Sequence, residues 1–303
     1  MRMSISMLPI SGRKSPRFKS TNLPLFLVLL SIVPVAFGQL APPFKFRTID
    51  AAGAVLTRPS GITARGEIVG FYNDNGGLQH GFLLKGNRFR LIDAPGATTG
   101  TATTAINNDL EIVGAYSGDD QINHGFLLKN GRFTTIDYPG ATTGTILWGI
   151  NDSLQIVGSY SGDDLIDHGF LWSSGRFTTI DFPGASSTDA YGINECGEIV
   201  GLYVDASGLQ HGFRLSHGTF TAVDFPAATN TYARGINSLE QIVGRYVVQG
   251  IGHGFLLRRG TFSTIDFPGA TETRAIGIND GVEIVGSYTD AAGVVHGFVA
   301  TPR

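Results

Sequence analysis

A histidine and an aspartate recur together at a fixed separation of 13 residues: His80 and Asp93, His124 and Asp137, His168 and Asp181, His211 and Asp224, His253 and Asp266. An imidazole beside a carboxylate can perform general acid–base chemistry, and the same two side chains build metal sites. The repetition points elsewhere. A catalytic or metal centre needs one place where the groups differ from their repeats, and equivalent pairs on separate segments cannot share one ion. A hydrogen-bonded pair that ties two strands in every repeat fits better, because a polar group taken out of water needs a partner. One more His-Gly-Phe, at His296, has no aspartate downstream, and one more Phe-x-x-Ile-Asp, ending at Asp50, has no histidine upstream. Pairing His296 with Asp50 makes a sixth site and joins the two ends of the chain. All twelve residues are therefore expected to be structural, with no catalytic residue and no metal ligand among them.

Other residues with useful chemistry do not repeat. Asp119, Asp120, Asp163 and Asp164 crowd two loops, and single acids (Asp74, Asp205, Asp290) stand in three others. Asn73-Asp-Asn-Gly-Gly77 is like part of a calcium loop but lacks the closing acid of a twelve-residue site, so turn formation is the better reading. Asp205-x-x-Gly208 and Asp290-x-x-Gly293 do not match a sialidase Asp box in order or aromatic position. Trp148 is unique to its repeat, and Arg234 takes its place two repeats later. Arg274 lies two residues earlier on the matching strand of the last repeat, hence on the same face. These seven, Trp148, Arg234, Arg274 and the four loop acids, are the candidate binding residues. There is no nucleophile elbow, phosphate-binding glycine loop or clustered Cys/His set, so no cofactor and no metal is expected.

The elements that hold these residues are legible around Asn130-Gly131. This pair separates His124-Gly-Phe-Leu-Leu from Arg132-Phe-Thr-Thr-Ile-Asp137. Asn-Gly between two apolar runs marks a two-residue hairpin, since a type I′ turn needs φ > 0 at both central residues. Lys129 then faces Arg132, Phe126 faces Thr135, and His124 faces Asp137. The second turn residue is glycine in four of the five hairpins, while the first hairpin has Gly86-Asn87.

Around the hairpin the chain repeats every 42 to 44 residues. The typical period carries a run ending Gly-Ile-Asn (Ala105-Ile-Asn107 in the second copy, Gly61-Ile-Thr63 in the first), then Ile-Val-Gly-x-Tyr, then His-Gly-Phe, then Phe-x-x-Ile-Asp followed by a proline turn. Four strands in about 40–45 residues is the period of a propeller blade. The strands are apolar at most positions, as strands covered on both faces must be. We expect an all-β fold, a six-bladed β-propeller. Five blades lie at 59–93, 103–137, 145–181, 190–224 and 232–266. The sixth takes three strands from 274–300 and its fourth from 44–50, so that an N-terminal strand completes the last blade. An open solenoid is the competing architecture.

In such a meander one rim carries the His/Asp pairs and the Asp-rich loops. The other carries basic hairpin tips such as Lys85, Lys129 and Arg258. The tyrosine of Ile-Val-Gly-x-Tyr is expected in the core.

Residues 1–38 read as a cleavable secretory signal: five basic residues, no acid, an apolar run at 23–37, and Ala36-Phe-Gly38 before Gln39. The alternative is an uncleaved anchor, but the run is 15 residues with two prolines, against ~20 for a spanning helix. Residues 39–303 then form the propeller domain, with no membrane span after signal removal. That mature chain keeps 17 basic residues against 25 acidic ones, a net charge of −8. Such a balance argues against nucleic acid as a partner. The single Cys196 allows no internal disulfide, and the chain is long enough to be held by its core.

The recurring His-Gly-Phe, Phe-Thr-Thr-Ile-Asp-Phe-Pro-Gly-Ala, Gly-Ile-Asn and Gln/Glu-Ile-Val-Gly-x-Tyr resemble the HAF family of extracellular bacterial repeat proteins. The resemblance covers residues 44–300. It implies export, extracellular or periplasmic, and a repeat array; it implies no reaction. Departures are Ala94-Pro95, Pro226-Ala-Ala228 and Thr63, which stands where most repeats have Asn. Taken together, the residues point to a secreted, monomeric, non-catalytic binding or scaffold module for an extracellular ligand, protein or glycan. The alternative is a propeller hydrolase or lyase acting on glycans, which would need unmatched acids and aromatics gathered at one mouth of the axial channel.

Overall fold

The computed structural model describes residues 43–303; the expected signal peptide lies outside the described residues. Among the described residues every regular element is a β-strand, 24 in all. They form six antiparallel meanders of four. Blade one runs through Leu56–Ile62, Ile68–Asn73, Gln79–Lys85 and Arg88–Ile92. Blades two to five span 100–135, 144–180, 187–223 and 230–264. Each starts one to three residues before the position the repeat motifs marked. Blade six is Glu272–Ile278, Ile284–Thr289 and Val295–Pro302, completed by Phe44–Ile49. That last pairing is antiparallel, from Phe44 opposite Pro302 to Ile49 opposite Gly297. The innermost strands pack on one another around a ring, blade six on blade one. The chain is a six-bladed β-propeller closed by its own N-terminal strand.

The hairpin register is the one the turns dictate: Lys129 opposite Arg132 and Phe126 opposite Thr135. Asn130 and Gly131 both have positive φ (51° and 76°), as a type I′ turn requires. In blade one only Gly86 is positive (60°), so the Gly-Asn order selects a type II′ turn with the same register.

The core is not central. It lies in wedges between blades. The phenylalanine of every His-Gly-Phe is fully buried, and each wedge draws on two blades: Phe170, Ile156 and Leu147 meet Val113, Leu127 and Ile136 of the blade before. Strands buried on both faces need small residues where backbones converge. In each first strand the pairing slips by one residue, as between Leu147 and Gly149, and a carbonyl is pushed towards the second strand. A Cβ on Gly158 of Ile-Val-Gly would lie 2.2 Å from that carbonyl of Ile146.

Two polar rings fasten the blades. The buried second residue of every first strand is threonine (57, 101, 145, 188, 231, 273). Its hydroxyl accepts the backbone N–H that follows the preceding blade's clamp aspartate, at 3.0–3.1 Å in all six seams. At the other end, the asparagine of Gly-Ile-Asn donates to the main-chain carbonyl of its counterpart in the next blade. Asn151 reaches Asn194 at 3.0 Å, and Asn279 reaches Thr63 at 3.0 Å across the closure. Thr63 itself has no amide to give, so the seam from blade one to blade two lacks this bond.

Candidate ligand-binding site in the axial chamber

The first strands line the axis with their third and fifth residues. In blade one these are Arg58 and Ser60, in blade three Ile146 and Trp148, in blade four Asp189 and Tyr191, in blade five Tyr232 and Arg234, in blade six Arg274 and Ile276. Blade two offers only Ala102 and Thr104. A cavity of about 330 Å³ lies among them. Its walls differ. Arg58, Arg245 and Arg274 come from blades one, five and six, while Trp148, Tyr191 and Tyr232 come from blades three, four and five.

The polar contacts in the chamber are unequal. Glu272 accepts from Arg274 Nε at 3.0 Å and from Arg245 Nη2 at 2.7 Å. Burial pushes its carboxyl up, but the bonds and charge of Arg274, with the charge of Arg245, outweigh burial and hold it below the ordinary range. The Arg234 guanidinium sits 3.9 Å over the centre of the Tyr191 ring, a cation–π contact. Trp148 meets the same ring edge-on, with centroids 5.5 Å apart, and its Nε1 donates to Ser159 Oγ at 2.9 Å. Tyr191 donates to Asp189 Oδ2 at 3.2 Å; burial pushes both the Asp189 carboxyl and the Tyr191 phenol up. Arg58 has no hydrogen bond or carboxylate partner among the described residues, and its Nε is shut off from solvent. Burial, then the charge of Arg274, lowers its pKa, against a smaller opposing pull from the charge of Glu272.

The chamber ends at a collar. Ile62, Ile106, Ile150, Ile193, Ile236 and Ile278, each the last residue of a first strand, stand between it and a smaller cavity of about 100 Å³, and line both. Each is only 6–8% exposed. The smaller cavity opens among Asn108, Asp152, Glu195 and Asp280 at the opposite rim. Burial, with the neighbouring charges of Asp152 and Asp280, pushes the Glu195 carboxyl up. The mouth of that rim is thus acidic, and two of its basic tips are paired: Lys85 with Glu67 at 3.2 Å, Lys129 with Glu111 at 2.5 Å. The basic tips lie on the outer hairpins of this rim, and its axial mouth is acidic.

All six His/Asp pairs form, from 2.7 Å for His124–Asp137 and His253–Asp266 to 3.1 Å for His168–Asp181 and His211–Asp224, with His80–Asp93 at 3.0 Å and His296–Asp50 at 2.8 Å. In five blades a second carboxylate faces the other ring nitrogen: Asp74, Asp120, Asp164, Asp205 and Asp290. Blade five has no such acid, and Gly252 there leaves room for the Arg245–Glu272 pair; a Cβ on it would lie 2.5 Å from Arg245 Nε. The histidines are half-buried, not buried, with side chains 16–29% exposed.

The structure therefore brings together Trp148, Arg234 and Arg274, and separates them from the loop acids. Asp120 and Asp164 are engaged by His124 and His168, at 2.8 and 3.2 Å, and by the turn N–H of Ile122 and Ile166. Asp119 and Asp163 are exposed at loop tips. The sequence reading passed over Arg58, Tyr191, Tyr232, Arg245 and Glu272. A signal was present: these are the variable positions inside otherwise constant motifs, Arg245 being the x of Ile-Val-Gly-x-Tyr. The tyrosine of that motif, expected in the core, is half-buried in five blades and buried only as Tyr246; it lies against its own histidine and, in blades three to six, stacks on the aromatic residue that ends the preceding blade, as Tyr203 does on Phe182 at 3.7 Å.

No family model and no curated protein matches this chain. Solved structures match the fold. The fungal lectin of Aleuria aurantia, a fucose-recognising six-bladed β-propeller, superposes with a TM-score of 0.51 at 13% identity, over 85% of this chain and 91% of the lectin. AofleA from Arthrobotrys oligospora gives 0.51 at 16%, over 86% and 84%. TolB from Acinetobacter baumannii gives 0.56 at 10%, over 78% of this chain and 64% of TolB. At these identities the likeness is one of fold.

Proposed function

We propose that this propeller is a non-catalytic binding module whose ligand is a glycan held in the axial chamber. One observation carries the reading: the chamber is where the six-fold repetition breaks. The inner His/Asp pairs and the threonine ring recur in all six blades, and the asparagine ring in all seams but one, and these hold the ring together. The chamber residues instead differ from blade to blade, and they set guanidinium groups against an aromatic wall. A concave site with an apolar face and a few convergent polar groups is the usual form of a small-molecule site. That the Aleuria aurantia lectin, built on the same fold, recognises fucose supports a sugar as occupant. No carboxylate lines the chamber among the described residues, and the two behind its wall are engaged, Glu272 by two arginines and Asp189 by Tyr191, which favours holding a ligand over transforming it.

The test is a panel of neutral and acidic oligosaccharides titrated calorimetrically into residues 39–303, with soluble product measured in parallel. Binding without turnover, weakened at least tenfold by Trp148→Ala, is the expected result. Turnover that disappears in Asp189→Asn would overturn the non-catalytic reading. We also propose that the chain belongs with the HAF repeat proteins and is exported. Support comes from the recurring motifs and from residues 1–38. Secreted material whose N-terminus is Gln39 is the expected outcome of expression with the signal intact.

A further inference from the structure

We propose that the chamber accepts the carboxylate-bearing end of an acidic glycan, a terminal uronic-acid residue, with its carboxylate on Arg58 and Arg274. The inference rests on the glycan-binding reading above and adds the chemical class and the direction of entry.

Charge comes first. Four guanidinium groups, Arg58, Arg234, Arg245 and Arg274, line the chamber. Glu272 serves two of them, and Asp189 stands near Arg234. Even with both acids ionised, positive charge remains. A neutral sugar would leave that charge unanswered; an anionic one would complete it. Arg58 is the focus. It is placed beside Arg274, feels Glu272 only through space, with no carboxylate bonded to it among the described residues, and its Nε is closed to solvent without a hydrogen-bond partner. An arginine is a rigid planar fork that stays charged at any ordinary pH and matches a carboxylate through two parallel hydrogen bonds. A half-buried charge with no hydrogen-bonded counter-charge is a cost to the fold. Its persistence here makes sense if a ligand supplies the partner.

Shape decides the rest. Trp148, half-exposed in the opposite wall, offers a flat apolar surface for the C–H face of a sugar ring. Small residues of blade two, Thr104 and Ala105, leave the open volume between that wall and Arg58. Below lies the isoleucine collar. Side chains only 6–8% exposed cannot border an opening as wide as a sugar, because water filling it would expose them. A polysaccharide therefore cannot thread the axis. It enters from the rim of the histidine clamps and stops, so the unit recognised is a chain end.

The experiment titrates the mature chain with galacturonic acid, galactose and galactose 6-sulfate, then with polygalacturonate before and after partial cleavage. Galacturonic acid should bind roughly tenfold to hundredfold more tightly than galactose, the range expected for a charge-assisted bond. Arg58→Gln should bring that ratio close to one, and Arg58→Lys, which keeps the charge and loses the fork, should give an intermediate ratio. Neither variant should melt lower than the parent, since each relieves or retains a half-buried charge that has no hydrogen-bonded carboxylate. Cleavage should raise the binding capacity per gram of polymer in proportion to the ends created. Equal affinity for the acid and galactose, a ratio unchanged in Arg58→Gln, tighter binding of the sulfate, or capacity indifferent to cleavage would each overturn the proposal while leaving the glycan reading standing. Failure of every sugar to bind would remove the glycan reading itself.

Discussion

Each histidine clamp is a local device with a predictable titration. His124 is raised above its ordinary value chiefly by its bond to Asp137 and then by Asp120. In His168 and His296 burial opposes the shift, but the flanking carboxylates win. A raised folded pKa means stability that is fully present below the ordinary value of 6.5 and lost as pH climbs through the folded value. The outer acids move the other way: Asp120 and Asp164 are lowered first by their histidines, Asp290 first by the N–H of Val294. Their contribution is present above 3.8 and lost as pH falls through the folded value. The melting temperature should therefore peak between those limits and decline on both sides, and the alkaline decline should flatten in a variant with His124, His168 and His296 all changed to Gln. A melting temperature rising steadily from pH 5 to 8 would contradict this. Asp137→Ala should cost only about 1 kcal/mol or less, because His124 is 25% exposed, Asp137 is 37% exposed, and Asp120 still holds the ring; chemical denaturation measures it. The inner partner was legible because a two-residue turn fixes the register. The outer one was not, since it comes four residues before His124 and six before His211, so that loops of different length converge on one nitrogen.

At the scale of strands and turns, the motifs were legible as a period, and their purposes were not. Gly-Ile-Asn and Ile-Val-Gly read as strand ends. The partner of each asparagine is 42 to 44 residues away in the next blade, except across the closure, and no local pattern shows it. The threonine ring escaped notice for the same reason, although its spacing follows the repeat. Two substitutions separate these roles. Gly158→Ala forces a methyl to within 2.2 Å of the Ile146 carbonyl, and should destabilise by about 3 kcal/mol. Thr63→Asn should act in the opposite sense. It supplies the missing amide to the carbonyl of Asn107, and should stabilise by about 1 kcal/mol, the usual net worth of an added hydrogen bond. Denaturant midpoints check both. A Thr63→Asn protein less stable than the parent would mean that the first seam is spaced too widely for the bond.

For the whole molecule, closure is what turns six sheets into one chamber. The orphan strands at the two ends disclosed it in the sequence, because neither could be paired within its own repeat. Removing residues 43–50 strips Phe44 and Ile49, both buried, from blade six. Loss of two such side chains, about 3–6 kcal/mol, should lower the melting temperature by roughly 10 °C or more. The chamber was only half legible. Trp148, Arg234 and Arg274 stood out as exceptions, whereas Arg58 and Arg245 lay at positions that vary in every blade and so looked unremarkable until the ring drew them together. The most direct test uses the chain's two tryptophans, Trp148 and Trp172. In a Trp172→Phe protein, emission reports Trp148 alone. Titration with a uronic-acid oligosaccharide should change that emission saturably, with the same midpoint as the heat of binding. Binding heat with no change in Trp148 emission would place the ligand outside the chamber and contradict the account.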